Sequence, residues 1–476
     1  MRCGRTLWIV VSSLSLVIAP AIVAQQTNST LREKAKSGDI KAMLQLARAF
    51  ESEKDRDSSA KEAALWYENA ANMGDPWAQT KIALLYLHGE GVTKDQRIAV
   101  RWLLRAATSG YGLAQYNLGL AYLLGDGVTP DNSEGARWLR KAADQSIPDA
   151  EANLAILYLN GRGVPRDAQQ ALEWSQRGAK HGSATAECTL GTMYELGTGV
   201  PKDEKTAEKR YRRSASRNYP DGEFHLGRLL VSKPDGVMEG AEWLSRAAEQ
   251  GNVRAEYSVG LLRAEGRGFP QSYGEAAKWY RLAAEAGYAG AQLNLGGLYE
   301  KGQGVPQDSS EAVHWYAEAA KQGLMPAEWN LGVAYETGTG VAQDCAKARY
   351  WYSKAADGGD ANAQNSLGHL LYAGLGGVRD RSQALAWLEK AAANGNPQAA
   401  LNLGIILSDA EAADADHVTA VTWFEIARQR GLDPGQALVK SRARVTPSEA
   451  TLATQNATSW LSQHSEAGQF PAGLTK

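Results

Sequence analysis

The chain has 476 residues, with 51 Lys plus Arg against 53 Asp plus Glu and a formal net charge of −2. A composition 44% apolar and 22% charged is that of a folded globular chain and excludes disorder; the near-neutral balance excludes a strongly basic nucleic-acid binder. Fourteen Trp beside five Phe, with 49 Gly, point to one short pattern used many times.

The first 24 residues read as a secretory leader. Arg2 and Arg5 give a positive start, Leu7 to Val23 is largely apolar, and Ala24 precedes Gln25 as a small-residue cleavage site, with Ala21 as a second. The apolar run is broken by three serines and Pro20 and falls short of a clean membrane span of ~20 residues. The expectation is therefore a protein secreted through a cleaved leader, residing in the periplasm, without stable membrane insertion afterwards. Residues 25–38 are a lead-in. Cys188 and Cys345, 157 residues apart, are expected to be free thiols, because the repeat reading separates them by more than four units and a disulfide needs Cα atoms within ~7 Å.

From Asp39 to Gly431 the chain repeats. Trp66, Trp102, Trp138 and Trp174 are 36 residues apart, Arg210 takes the next slot, and the series resumes at Trp243 after one unit of 33. It continues through Trp279, Trp315, Trp351, Trp387 and Trp423, so ten of the 14 tryptophans hold one position in eleven units. Each unit predicts two helices. In helix A of unit three, Ala114, Leu118 and Tyr122 share a face; in helix B of unit two, Ala99, Trp102 and Ala106 do. A glycine follows the core Leu of helix A in most units, at Gly119 and Gly296 for example, and predicts close approach of a neighbouring helix. Gly110 predicts a left-handed cap after helix B. Gly125-Asp-Gly127-Val-Thr-Pro-Asp131 predicts the turn between helices, with Asp131–Glu134 and Asp308–Glu311 at capping-box spacing. The short unit, Tyr219 to Gly251, replaces that turn with Val231-Ser-Lys-Pro-Asp-Gly236 and is the expected irregularity. Past Gly431, residues 432–464 predict capping helices: a last helix A over Asp433 to Arg442, then a helix opened by Thr446-Pro-Ser-Glu449 and ending near Gln463. Residues 465–476 predict a disordered tail. No sustained period-two alternation occurs, so the predicted fold class is all-α, a stack of eleven repeats sharing one continuous core.

These motifs, A-x-x-x-L-G-x-x-Y-x-x-G-x-G-V-x-x-D followed by A-x-x-W-x-x-x-A-A-x-x-G, resemble the Sel-1-like repeat family, relatives of tetratricopeptide repeats. The copy from Ala291 through Gly323 is the cleanest. The resemblance implies a right-handed superhelical solenoid with helix A lining its inner surface. It also implies an adaptor or scaffold role in envelope assembly, signalling or host contact, with a protein or peptide partner. Some members clamp each repeat with a disulfide; this chain lacks those cysteines.

Catalytic and ligand motifs are sparse. The seven histidines are scattered without zinc spacing, and the Gly-x-Gly pairs follow helices, not strands, so no metal and no cofactor is expected. Ser58-Ser-Ala-Lys61 matches S-x-x-K, and Lys36-Ser-Gly38 is near K-T-G, which would suit a penicillin-binding or β-lactam-hydrolysing protein. Ser58 also suits an N-cap of helix B in unit one, and the chain is read as no enzyme. A basic column on helix B, Arg105, Lys141, Arg177, Arg213, Arg246, Lys354 and Lys390, would suit an anionic polysaccharide or simply the negative ends of those helices. A denser basic patch runs from Lys205 to Arg217.

The face of helix A opposite its core Leu carries the candidate partner surface. Five before, two before, two after and five after that position, unit two has Trp77, Thr80, Leu84 and Leu87. Unit three has Leu113, Tyr116, Leu120 and Leu123; unit four has Asp149, Ala152, Ile156 and Leu159; unit five turns polar. Apolar residues at these positions predict an exposed strip, since a surface helix should be polar there. Asn117, Asn153, Asn294, Asn330 and Asn402 directly precede core Leu residues. By resemblance to tetratricopeptide relatives they could hydrogen-bond an extended peptide; the rival reading has all these groups satisfied by neighbouring helices.

Overall fold

The computed structural model describes residues 30–52, 56–409 and 416–464, with the side chains of 56–58 left out. The leader expected at 1–24 and the tail expected at 465–476 lie outside the described residues. Within them every regular element is a helix.

The units fall where the tryptophan spacing puts them. Helix A spans Pro76–His88, Gly112–Leu124, Pro148–Asn160 and Ala184–Leu196 in units two to five, and helix B spans Gln96–Thr108, Asn132–Asp144, Ala168–Lys180 and Glu204–Ala215. In most units helix B starts on a capping aspartate: Asp131 accepts from the backbone N–H of Ser133 and Glu134, and Asp308 from those of Ser310 and Glu311. The full capping box expected at Asp131 does not form, because the Glu134 carboxylate turns outward to Arg137. In unit one helix B begins at Arg56, so Ser58 stands inside its first turn rather than in front of it.

The recurrent glycines serve two contacts. The glycine inside helix A faces one residue of its own helix B, the one that follows the Trp slot. A Cβ on Gly119 would meet Leu139 at 2.8 Å, on Gly191 Tyr211 at 2.5 Å, and on Gly404 Phe424 at 2.5 Å. The second glycine of each Gly-x-Gly lies against the backbone that opens helix B of the preceding unit: a Cβ on Gly127 would sit 2.2 Å from the Gln96 carbonyl oxygen. One glycine thus sets the spacing within a unit, the other the spacing between units.

On either side of residues 226 and 227 the core runs between the two helices of a unit and on to the next, with helix B packed on the following helix A. Trp, Leu, Tyr and paired Ala residues fill it. By packing, the chain divides into two compact units at Leu226 and Gly227, inside helix A of the 33-residue unit. After that helix, a 3-10 turn at Pro234–Gly236 leads directly into helix B, Val237–Glu249, in place of the usual glycine turn. At the C-terminus, helices Gly435–Arg442 and Pro447–Gln463 close the array. Thr446 and Glu449 form a reciprocal capping box, and Trp460 of the last helix stands edge-on to Trp423 at 5.2 Å. Cys188 is buried, Cys345 is half-buried, and neither is in a disulfide among the described residues.

Candidate functional site

The A helices of units two and three touch, as do those of units four and five, and the Asn153–Tyr116 hydrogen bond links those of units three and four. Leu113 is the exposed apolar residue among their outward positions, at 44%. Leu84, Tyr116, Leu120 and Ile156 are half-buried around it. Trp77 is also half-buried but engaged: it stands edge-on to Tyr67 at 5.6 Å, with the Arg48 guanidinium 4.7 Å from its ring centre.

The position five after the core Leu is not part of an exposed strip. Leu123 is only 9% exposed and belongs to the core of units three and four; Leu87 and Leu159 are half-buried and pack on the core. The reason lies in a pairing between the two helices of one unit. In four of the five units where the residue after the Trp slot is Tyr, this position is Glu: Tyr67 donates to Glu51 at 2.7 Å, Tyr211 to Glu195 at 2.7 Å, Tyr316 to Glu300 at 2.8 Å and Tyr352 to Glu336 at 2.7 Å; in unit seven Tyr280 faces Ala264 in sequence and hydrogen-bonds Asn294 instead. Where helix B has Leu103 or Leu139, helix A has Leu87 or Leu123. Burial, and in three of the four pairs the adjacent carboxylate after it, pushes the hydroxyls of Tyr67, Tyr316 and Tyr352 far above the ordinary phenol range. This pairing was readable in the sequence as matched changes between repeats.

The asparagines divide. Asn153 donates to the Tyr116 hydroxyl at 3.4 Å and to the Asp149 carbonyl at 2.9 Å, and Asn402 donates to Asn365 at 2.8 Å, so these bridge successive A helices. Asn294 hydrogen-bonds Tyr257 of the preceding unit and Tyr280. Asn117 donates to the Leu113 carbonyl of its own helix at 2.8 Å. Asn330 is half-buried with no side-chain hydrogen bond among the described residues.

The basic column is mostly a lid on tryptophan. Arg105, Lys141, Arg177, Arg246, Lys354 and Lys390 each lie over the Trp three residues earlier, 4.0 to 5.2 Å from a ring centre. In unit five, where Arg210 replaces Trp, Arg210 and Arg213 both turn to the buried Glu187, at 3.0 and 3.7 Å. Arg212 pairs with Glu208 and Lys205 lies near Asp203, on an open face lined by this one helix that also carries Lys209. Two lysines on a single helix do not build a polysaccharide site. Among the described residues no cluster of three His, Cys, Asp or Glu is placed to hold a metal, and no helix is long and apolar enough to cross a membrane.

The Sel1 repeat matches eleven times, at residues 40–75, 78–111, 112–147, 148–183, 184–219, 222–252, 253–288, 289–324, 326–360, 361–396 and 397–432. The chain belongs to the Sel1 repeat family. Its fold is similar to that of c5321, described as a protective antigen of uropathogenic Escherichia coli displaying an SLR fold: 30% identity over 94% of this chain and 99% of that one, with a TM-score of 0.66. A Sel1 repeat protein of Oxalobacter formigenes is 31% identical over 67% of this chain and 92% of its own, with a TM-score of 0.46. The immunity protein Pa5087 of Pseudomonas aeruginosa is 23% identical over 44% of this chain and 81% of its own, with a TM-score of 0.30. No curated protein matches the chain.

Proposed function

We propose that this Sel1 repeat protein is a non-catalytic scaffold of the cell envelope, exported by its leader and periplasmic, that holds a protein partner on the helix A surface of units two to four. The observation that carries the reading is Leu113, exposed among half-buried Leu84, Tyr116, Leu120 and Ile156 on neighbouring A helices. Contiguous apolar surface of this kind marks interaction sites, and a row of parallel helices can present it to an extended or helical segment. Asn117 lies beside the same row and keeps its amide oxygen for a partner's backbone. The reading needs no cofactor, metal, nucleic acid or lipid.

A photo-crosslinking residue at position 113 tests it, with one at Arg137, exposed on helix B, as control. In the native envelope, position 113 should capture a discrete protein and position 137 should not; equal capture at both, or none at 113, removes the surface. In a chain without the crosslinker, Leu113→Glu should abolish co-purification of the captured protein and leave the unfolding midpoint unchanged. The export step is tested apart from this, by intact mass: the mature chain should begin at Gln25 and carry two labelable thiols.

A further inference from the structure

One position of helix A is polar and buried in unit after unit. It is Gln in units two, three, eight and ten, and Glu in units four to seven and nine. The glutamines share one job. Nε2 of Gln79, Gln115, Gln292 and Gln364 donates, at 3.1 Å each, to the carbonyl eight residues earlier, in the last turn of the preceding helix B. That bond ties a unit to the one before it.

A carboxylate has no proton to donate there. Unit four solves this with a cation. Arg177 donates to Glu151 at 3.1 Å and also to the Ala143 carbonyl at 3.3 Å, the acceptor a glutamine would have served, while His181 meets the other carboxylate oxygen at 2.7 Å. Glu187 has Arg210 and Arg213. Glu256 has neither device. It is 7% exposed, and its Oε2 is buried with no hydrogen-bond partner. The positions that supply Arg210, Arg177 and His181 in the other units hold Trp279, Leu282 and Ala286 here.

The charges on the surrounding helices are committed elsewhere. On helix B of unit six, Arg246 lies over Trp243, and Glu239, Glu242 and Glu249 are exposed. On helix B of unit seven, Tyr273–Glu285, Lys278 pairs with Glu275, Arg281 bonds Tyr299, and Glu285 is exposed. On its own helix, Val253–Glu265, Arg254 is exposed, Arg263 lies over Phe269 and Glu265 pairs with Arg267. Burial therefore raises the pKa of Glu256 above the ordinary carboxylate value with no charge to oppose it. Glu328 is raised for the same reason, opposed by Lys354.

We propose that Glu256 is a proton-operated latch between helix B of unit six and helix A of unit seven. Protonated, its carboxyl O–H donates to the Ala248 carbonyl, as Gln292 donates to Ala284. Ionised, with the proton gone to solvent, it offers that carbonyl only repulsion, and the junction loosens. The sign follows from linkage: the folded pKa lies above the unfolded value of about 4.3, so the stabilising share is complete below that pH and is lost as pH rises through the folded pKa. The device is independent of whether the helix A surface binds a partner.

Glu256→Gln is the test, because it installs the arrangement of four other units. Hydrogen exchange, corrected for intrinsic rates, is followed from pH 4.5 to pH 8 over residues 247–265 in the full chain. In the wild type, protection there should fall with rising pH, about tenfold per unit of pKa separation. In Glu256→Gln it should stay flat and equal or exceed the wild type at pH 8. Glu151→Gln serves as a control of opposite sign, losing protection around unit four at neutral pH because Arg177 and His181 lose their carboxylate. Flat wild-type protection over 247–265, or the same pH slope in Glu256→Gln, overturns the latch.

Discussion

At the scale of single residues the array is governed by what its turns allow. Ser146 stands where most units have the glycine that follows helix B, and it keeps the left-handed backbone of that position, with φ of 61°. A side chain in that region costs about 1 kcal/mol. Ser146→Gly should therefore raise the stability of units three and four by about that amount, measured by chemical denaturation. The turn glycines separate strain from space. Gly323 has φ of +79° with nothing within 4 Å of an added Cβ, whereas a Cβ on Gly304, at φ of +70°, would lie 2.2 Å from the Tyr273 carbonyl carbon. Gly323→Ala should cost about 1 kcal/mol from strain alone. Gly304→Ala should cost about 3 kcal/mol, because it also forces apart two stacked units. Equal costs would mean that the Gly-x-Gly turn does not set the spacing between repeats.

At the scale of helices, the sequence carries the period, the phase and most boundaries, because Asp, Gly and Pro punctuate each element. The last helix, with Thr446 as its cap, is legible for the same reason. The solvent side of helix A is harder to read. A helical projection places the position five after the core Leu opposite that Leu. Helix A, however, is flanked by its own helix B, the preceding helix B and its neighbouring A helices, so no wide face is left open. Leu123 consequently packs into its own unit, while Leu113, about three turns earlier, stays exposed. The Tyr–Glu and Leu–Leu alternatives at this contact make a direct prediction. Glu300→Leu alone leaves the Tyr316 hydroxyl without its acceptor and should cost about 1–3 kcal/mol. Adding Tyr316→Leu rebuilds the pair that units two and three use at Leu87–Leu103 and Leu123–Leu139. The double mutant should recover part of the loss, a coupling of about 1 kcal/mol in a double-mutant cycle. Strict additivity would show that the two positions do not act as a pair.

At the scale of the whole molecule, stability is a property of neighbours. Each unit contacts mainly the units before and after it, so intrinsic and interface terms add along the stack and no central core holds the rest. The tryptophan slot is the largest repeated contribution to those interfaces, and a cation covers it in six units; Trp315 lacks one, since Glu318 stands three residues on. Trp315 is nonetheless 8% exposed and packs with Tyr280, Leu295 and Tyr316 in a core shared by units seven and eight. Trp315→Ala should cost ~3–5 kcal/mol, the range for deleting a large buried aromatic. In a globular domain such a loss would lower protection everywhere, because unfolding is all-or-none. In this array it should be read first in units seven to nine, with exchange in units two to four unchanged until denaturant or heat approaches the midpoint. Exchange that rises uniformly over all eleven units after Trp315→Ala would show one cooperative body, and would refute the nearest-neighbour account of how the repeats hold together.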